Sequence, residues 1–210
     1  MVLPKLGYEN IQINPFKIQE LKELRIVKKI NEHTRLTFTG IIPPDQKDSY
    51  IDSADSKTKV EVSLLESDNN TTPFFKGLVT KVQVKAVHNV YYLQVEAFSY
   101  TYEMDIKVKS RSFQNGTMTY SDMIKQVIAD YPGSDMMDTA SQGATLKSFA
   151  VQYCLTDWQY LKQKASLFHA GLIPADTVDS PKFYFGVPEG SPKGDLDNFN
   201  YIVRKNIADF

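Results

Sequence analysis

Between residues 78 and 97 apolar and polar side chains alternate with period two on both sides of a two-residue break, His88-Asn89. Leu78, Val82, Val84 and Ala86 form one row and Lys81, Gln83 and Lys85 the other. Beyond the break Tyr91, Leu93, Val95 and Ala97 repeat the apolar row against Gln94 and Glu96. A period of two residues is the signature of a strand with one covered and one wet face. A two-residue connection ending in Asn suits the left-handed turn that joins twisted strands, so the segment reads as a hairpin. A hairpin this long is not stable alone and demands further strands and a core beneath it.

Those strands are present. Residues 58–66 alternate Val60, Val62 and Leu64 against Lys59, Glu61 and Ser63, and residues 35–42 alternate Leu36 and Phe38 against Arg35, Thr37 and Thr39. Residues 19–30 fit either a helix or a strand; the polar turn Asn31-Glu32-His33-Thr34 favours a strand joined to its successor as a hairpin. Residues 43–56 and 67–73 read as polar loops. After Asn115-Gly116 the period changes: Met123, Ile124, Val127, Ile128 and Tyr131 recur at helical spacing after Thr119, with Pro132-Gly133 as a stop. A polar loop over 133–143 and a strand over 147–154 follow. Thr156-Asp157-Trp158-Gln159 has the form of a capping box, opening a second helix that buries Trp158, Leu161, Ala165 and Phe168 and ends near Gly171 and Pro174. Residues 182–187 begin another aromatic strand, and the chain ends without closing an obvious unit, as if truncated. The expected fold class is mainly β with an α+β insertion: a small β-barrel over 1–112, a two-helix linking region over 113–175 and the start of a second, similar barrel over 176–210.

Little in this framework assembles into catalytic chemistry. His33, His88, His169 and Cys154 lack metal-ligand spacing; His33 and His88 read as solvated turn residues and Cys154 as a small buried hydrophobe. Asp45, Asp48, Asp52 and Asp55 lack the spacing of a calcium loop. No phosphate-cradling glycine motif or hydrolase nucleophile elbow is present. No catalytic, cofactor or metal residue is therefore assigned. Lys81, Lys85, Lys107 and Lys109 read as wet strand faces, and 24 Lys plus Arg against 25 Asp plus Glu give no global field toward nucleic acid or an anionic membrane. One cysteine and no apolar start or spanning segment fit synthesis in a reducing compartment without membrane insertion. Tyr92, Phe98 and Tyr100, on the polar side of their strand, are candidate interface anchors; a second packed layer is the equal alternative.

Several motifs together carry a resemblance. Ser110-Arg111-Ser112-Phe113-Gln114 before the first helix, Val151-Gln152-Tyr153-Cys154-Leu155-Thr156-Asp157-Trp158 before the second, and Gly171-Leu172-Ile173 after it resemble the VgrG and phage late control D family. The turn Asn31-Glu32-His33-Thr34 is similar to that family's first hairpin, while Leu155 stands where many members have Glu. The resemblance implies a baseplate hub of a contractile phage tail, tailocin or type VI-like injection machine. It implies a homotrimeric ring that adapts a hexameric tail tube to a central spike, with tube and spike proteins as partners. It also implies assembly in the bacterial cytoplasm before incorporation into the baseplate, and no enzymatic activity. Two other classes compete: a peptidoglycan-degrading tail enzyme using Glu61, Glu96 or Glu103 as its acid, and a small carbohydrate- or protein-binding β module.

Overall fold

The computed structural model describes residues 10–46, 49–52, 58–65 and 70–190. Six strands form the first unit: β1 (Ile11–Asn14), β2 (Glu20–Val27), β3 (Arg35–Ile42), β4 (Lys59–Leu65), β5 (Thr71–Val87) and β6 (Val90–Ser99). They build one curled, half-barrel sheet in the order β1-β4-β5-β6-β3-β2, every neighbouring pair antiparallel. The β5–β6 hairpin is the one expected, with His88 and Asn89 both at positive φ in its turn. The β2–β3 hairpin also forms, so period two governs residues 20–27.

The inward row runs through Leu36, Phe38, Val60, Val62, Phe75, Leu93, Val95 and Ala97, and Phe16 and Tyr50 close it. A bulge between Val79 and Lys81 shifts the parity of β5, so Val79 rather than Leu78 shares the core face with Val82 and Val84; Ala86, on that same face, is exposed near the hairpin end. Gly77 allows the strand to pass its partner closely: a Cβ there would meet the carbonyl oxygen of Phe98 at 2.2 Å. Thr71 and Thr72, expected in a loop, extend β5, and β1 was not read from the sequence at all. A short helix, α1 (Ser49–Asp52), precedes β4.

A 3-10 segment, Tyr100–Asp105, leads from β6 into the second unit. There β7 (Val108–Phe113) pairs with β9 (Ala150–Thr156) as a two-stranded ribbon. Helices α2 (Tyr120–Ile128) and α3 (Asp157–Ser166) pack behind it, and a second sheet has the order β10 (Leu172–Ala175), β11 (Lys182–Phe185), β8 (Asp135–Asp138). Both helix caps expected from sequence are present: Thr119 accepts from the Asp122 amide, and Thr156 and Gln159 complete the capping box. The core here is Met104, Phe113, Met123, Ile124, Val127, Trp158, Tyr160, Leu161, Phe183 and Phe185 among others.

Two expectations need correction. The polar loop over 133–143 contains a strand, β8, whose ladder is made with β11 rather than with a sequence neighbour. Pro174 does not follow a helix end; it lies within β10. Strand β11, where the second barrel was expected to begin, is the central strand of this sheet, and Phe183 and Phe185 belong to the helical unit's core. Residues 191–210 lie outside the described residues, as do residues 47–48, 53–56 and 67–69 of the two loops and residue 66 of the strand expected over 58–66. Among the described residues no helix is long and apolar enough to cross a membrane.

The two cores are separate clusters, so each can be weakened independently. Phe75→Ala, at a position with no solvent exposure, is expected to cost about 3–5 kcal/mol by loss of burial and an unfilled cavity, read as a lower urea midpoint.

Candidate functional site

The two units meet through polar groups. Asp157, the first residue of α3, has no solvent exposure, and its carboxylate gathers groups from three other elements. Lys109 Nζ on β7 donates at 2.6 Å and Arg111 Nη2 at 3.2 Å; Tyr131 Oη, just past α2, donates at 2.6 Å and Gln152 Nε2 on β9 at 2.8 Å. Asp130 accepts from Lys109 at the solvent edge of the cluster, at 2.8 Å. Burial alone would lower the Lys109 pKa, but its bonds to Asp130, Asp157 and Tyr131 outweigh that and raise it. Burial, helped by Asp157, pushes the Tyr131 hydroxyl up to about 12. Lys109 is thus no wet-face lysine, as the sequence suggested, whereas Lys81, Lys85 and Lys107 are exposed.

A second chain of bonds runs from the β-sheet to the same helix. Thr34 and Ser99 exchange bonds across β3 and β6, Ser99 Oγ lies 3.0 Å from Thr101 Oγ1, and Thr101 Oγ1 lies 2.9 Å from His33 Nδ1. His33 Nε2 donates to Asp105 Oδ2 at 3.2 Å, and Asp105 also accepts from the hydroxyl of Thr156, the N-cap of α3. His33 is therefore not a solvated turn residue: its side chain is 9% exposed, and its ring lies 4.7 Å from that of Trp158. The His33 bond holds the Asp105 carboxyl below its usual range against the opposing effect of burial, with help from Thr156.

Asn31, at φ 68, pins the β2–β3 turn to the helical unit. Its amide donates to the Leu172 carbonyl at 2.8 Å, its Oδ1 accepts from the Leu172 amide at 2.9 Å, and its carbonyl accepts from Trp158 Nε1 at 3.0 Å. A Cβ on Gly171 would meet Ile30 Cγ2 at 2.4 Å and Asn31 Oδ1 at 2.9 Å, so glycine is what permits this approach. Lys28 Nζ reaches the buried Asp176 at 2.9 Å.

The other expected residues disperse. Tyr92 is half-buried on β6, and Phe98 is stacked on Tyr102 with ring centroids 5.0 Å apart. Tyr100 is not on the strand: it is 5% exposed in the 3-10 segment, and burial raises its pKa to about 12. Cys154 is exposed rather than buried, at φ 50 in a bulge where its amide donates to Ser110 Oγ. His88 and His169 are exposed turn residues. Glu61 lies 3.4 Å from Lys76 and Glu96 pairs with Arg35 at 2.7 Å; Glu103 has a pKa raised by burial, opposed by Lys59. Asp45 lies in a short 3-10 turn, while Asp48, Asp55 and the side chain of Asp52 lie outside the described residues. Among the described residues no three His, Cys, Asp or Glu side chains cluster to hold a metal.

Sequence reasoning missed Asp157 as a centre, although one signal was available. Phe113 is an inward residue of β7, and period two carries that face back to Arg111 and Lys109. The opposite face of the ribbon was missed as well. It exposes Val108, Val151 and Tyr153, with Ile106 and Phe149 at its ends, each at least 40% exposed.

Two outcomes are expected here. Asp157→Ala removes the buried partner of Lys109 and Arg111, leaves them only the exposed Asp130, and should cost about 3 kcal/mol in a denaturation experiment. Asp105 and Asp130 have pKa values lowered from 3.8, the latter mainly through its bond to Lys109. Each binds its proton more weakly when folded, so its stabilisation is present above pH 3.8 and is lost as pH falls through the lowered value. Asp105→Asn should flatten the decline of thermal stability in that acid window.

The fold is shared with tail proteins. The tail protein from Neisseria meningitidis MC58 matches with a TM-score of 0.58 at 13% identity over 83% of this chain and 49% of its own. The 43 kDa tail protein of prophage MuSo2 from Shewanella oneidensis matches at 0.57 and 11% identity, over 82% of this chain and 53% of its own. The E. coli c3393 protein, described as a type VI secretion component with structural similarity to T4 tail proteins gp27 and gp5, matches at 0.52 and 11% identity, over 83% and 48%. The chain thus spans about half the length of these structures and has the fold that the hub resemblance implied. No curated protein matches it. Residues 58–177, from β4 through β10 and more than half of the chain, match the family model described as the Alg8 N-terminal domain, and the chain belongs to that family.

Proposed function

We propose that this chain is a structural, non-enzymatic hub subunit of a contractile phage tail or type VI-like injection machine. In this reading three copies form a ring that adapts a hexameric tube to a spike. The supporting observation is the fold itself, shared over more than four-fifths of the chain with tail and type VI proteins. The domain plan in this reading is a sheet unit that ends before β7 and a linking unit that runs from β7 and takes in β11; tube and spike proteins are the remaining partners.

The surfaces suit such a role. A ring needs two different complementary patches on each subunit, because a head-to-tail contact must close. The outer face of the β7–β9 ribbon is one apolar patch, and Tyr92 with Phe98, half-buried on β6, lies on another face. Tyr100, buried within the chain, is dropped as an anchor. Nothing in this reading requires an acid with a displaced pKa, and Glu61 and Glu96 are each paired with a cation.

Light scattering over a wide concentration range tests the ring. A mass of three subunits is expected at high concentration, reduced toward one by Tyr153→Asp or Tyr92→Asp with the melting temperature unchanged. Equal loss of thermal stability in the isolated subunit would instead make those residues part of the fold. A cell-wall zymogram separates the hub from a peptidoglycan-degrading enzyme.

A further inference from the structure

A groove of about 540 Å³ lies where the β2–β3–β6 corner of the sheet faces α3. It is on the outer side of the sheet: Arg25 and Arg35 alternate with Leu24, Ile26 and Leu36, which pack toward the core. Four cations line it, Arg25, Lys29, Arg35 and Lys162, with Trp158 and Phe98 as aromatic walls. Its two carboxylates are already engaged: Glu32 lies 3.2 Å from Lys29, and Asp105 is held by His33 and Thr156. Arg35 pairs with Glu96 and Lys162 acts on the Asp105 carboxylate, helping to lower its pKa, whereas Arg25 has no ion pair among the described residues. With four cations against two lining carboxylates, the groove carries a net positive charge.

Its rim also offers a backbone. Strand β2 ends the sheet order and pairs only with β3 among the described residues, so one row of its amides and carbonyls faces away from the sheet. An edge strand beside a groove is the geometry in which an extended peptide adds as a further strand. Such a peptide presents every second side chain to one face, the face on which Arg25 and Val27 stand on β2, with Lys29 just beyond the strand's end.

We propose that this groove seats an extended, acidic segment of a partner polypeptide, which pairs with the edge of β2 and places alternate carboxylates against Arg25 and Lys162. A free anion satisfies the charges but not the strand edge, and a neutral peptide the edge but not the charges. The inference does not rest on the hub reading, since binding is measured on the chain alone.

The test is a titration of the chain, isotope-labelled for amide NMR, with an end-blocked peptide of alternating Glu and Thr. The comparison ligands are its Gln-Thr counterpart and inorganic phosphate. Saturable shifts in the amides of residues 23–29, weakened by salt, are expected for the acidic peptide. The combined variant Arg25→Glu and Lys162→Glu, both at partly exposed positions, should bind it about tenfold more weakly, the size expected for two partly screened pairs. Its melting temperature reports that it is folded, and Arg25→Gln with Lys162→Gln gives an intermediate loss. Equal binding of the neutral peptide, shifts reproduced by phosphate, shifts that avoid β2, or no binding by the acidic peptide would each overturn the proposal.

Discussion

A carboxylate removed from water is costly unless charges and hydrogen bonds replace its hydration. Asp157 meets that demand with four donors on three segments, β7, β9 and the end of α2, and in doing so it fixes where those segments lie around α3. The neighbouring Thr156 extends the constraint, because its hydroxyl both caps the helix and bonds Asp105, and Asp105 leads through His33 and Thr101 to the first sheet. The N-terminus of one ten-residue helix is thus tied to both units. A helix start also favours nearby negative charge, which lowers the cost of placing Asp105 and Asp157 there.

The polar tie has a mechanical consequence. Apolar contacts are non-directional and let two units slide, whereas Asn31 bonded in both directions to Leu172 and once to Trp158 admits one register. Gly171 brings the two backbones close enough for those bonds. Relative motion of two units in one chain is the ordinary expectation, and a large apolar interface is one way to suppress it. Here the units are joined by directed bonds instead, those of Asn31 and that of Lys28 to Asp176.

Legibility in the sequence followed the range of the interaction. The β5–β6 hairpin, β3, β4 and both helix caps depend on residues within a few positions of one another, and period and cap chemistry revealed them. Strands β1, β8 and β10 were not read, because four-residue strands carry too little alternation and their partners lie far away in the chain. The same limit applied to side chains. His33 sits in a polar turn and reads as solvated, yet its partners Thr101 and Asp105 lie 68 and 72 residues on. Lys109 reads as a wet-face residue until Phe113 is recognised as core, which sets the parity of β7. Tyr100 was placed on a strand because the alternation of β6 runs on to it, although the chain turns into a 3-10 segment there.

The exposed bulge at Cys154 joins these observations. Its residue at φ 50 and the extra position opposite Ser110 shift the parity of β9, so that Gln152 and Leu155 both stand opposite the Arg111 and Lys109 side while Tyr153 points out. The bulge therefore decides both faces of the ribbon at once. Inside, it completes the donor set around a buried carboxylate; outside, it presents Tyr153 beside Val108 and Val151. An apolar outer face on a two-stranded ribbon is a liability for a lone subunit, since both strand edges are unpaired among the described residues. Covering that face in an assembly would remove the liability without altering the inner donor set, because the two faces share a backbone but no side chain.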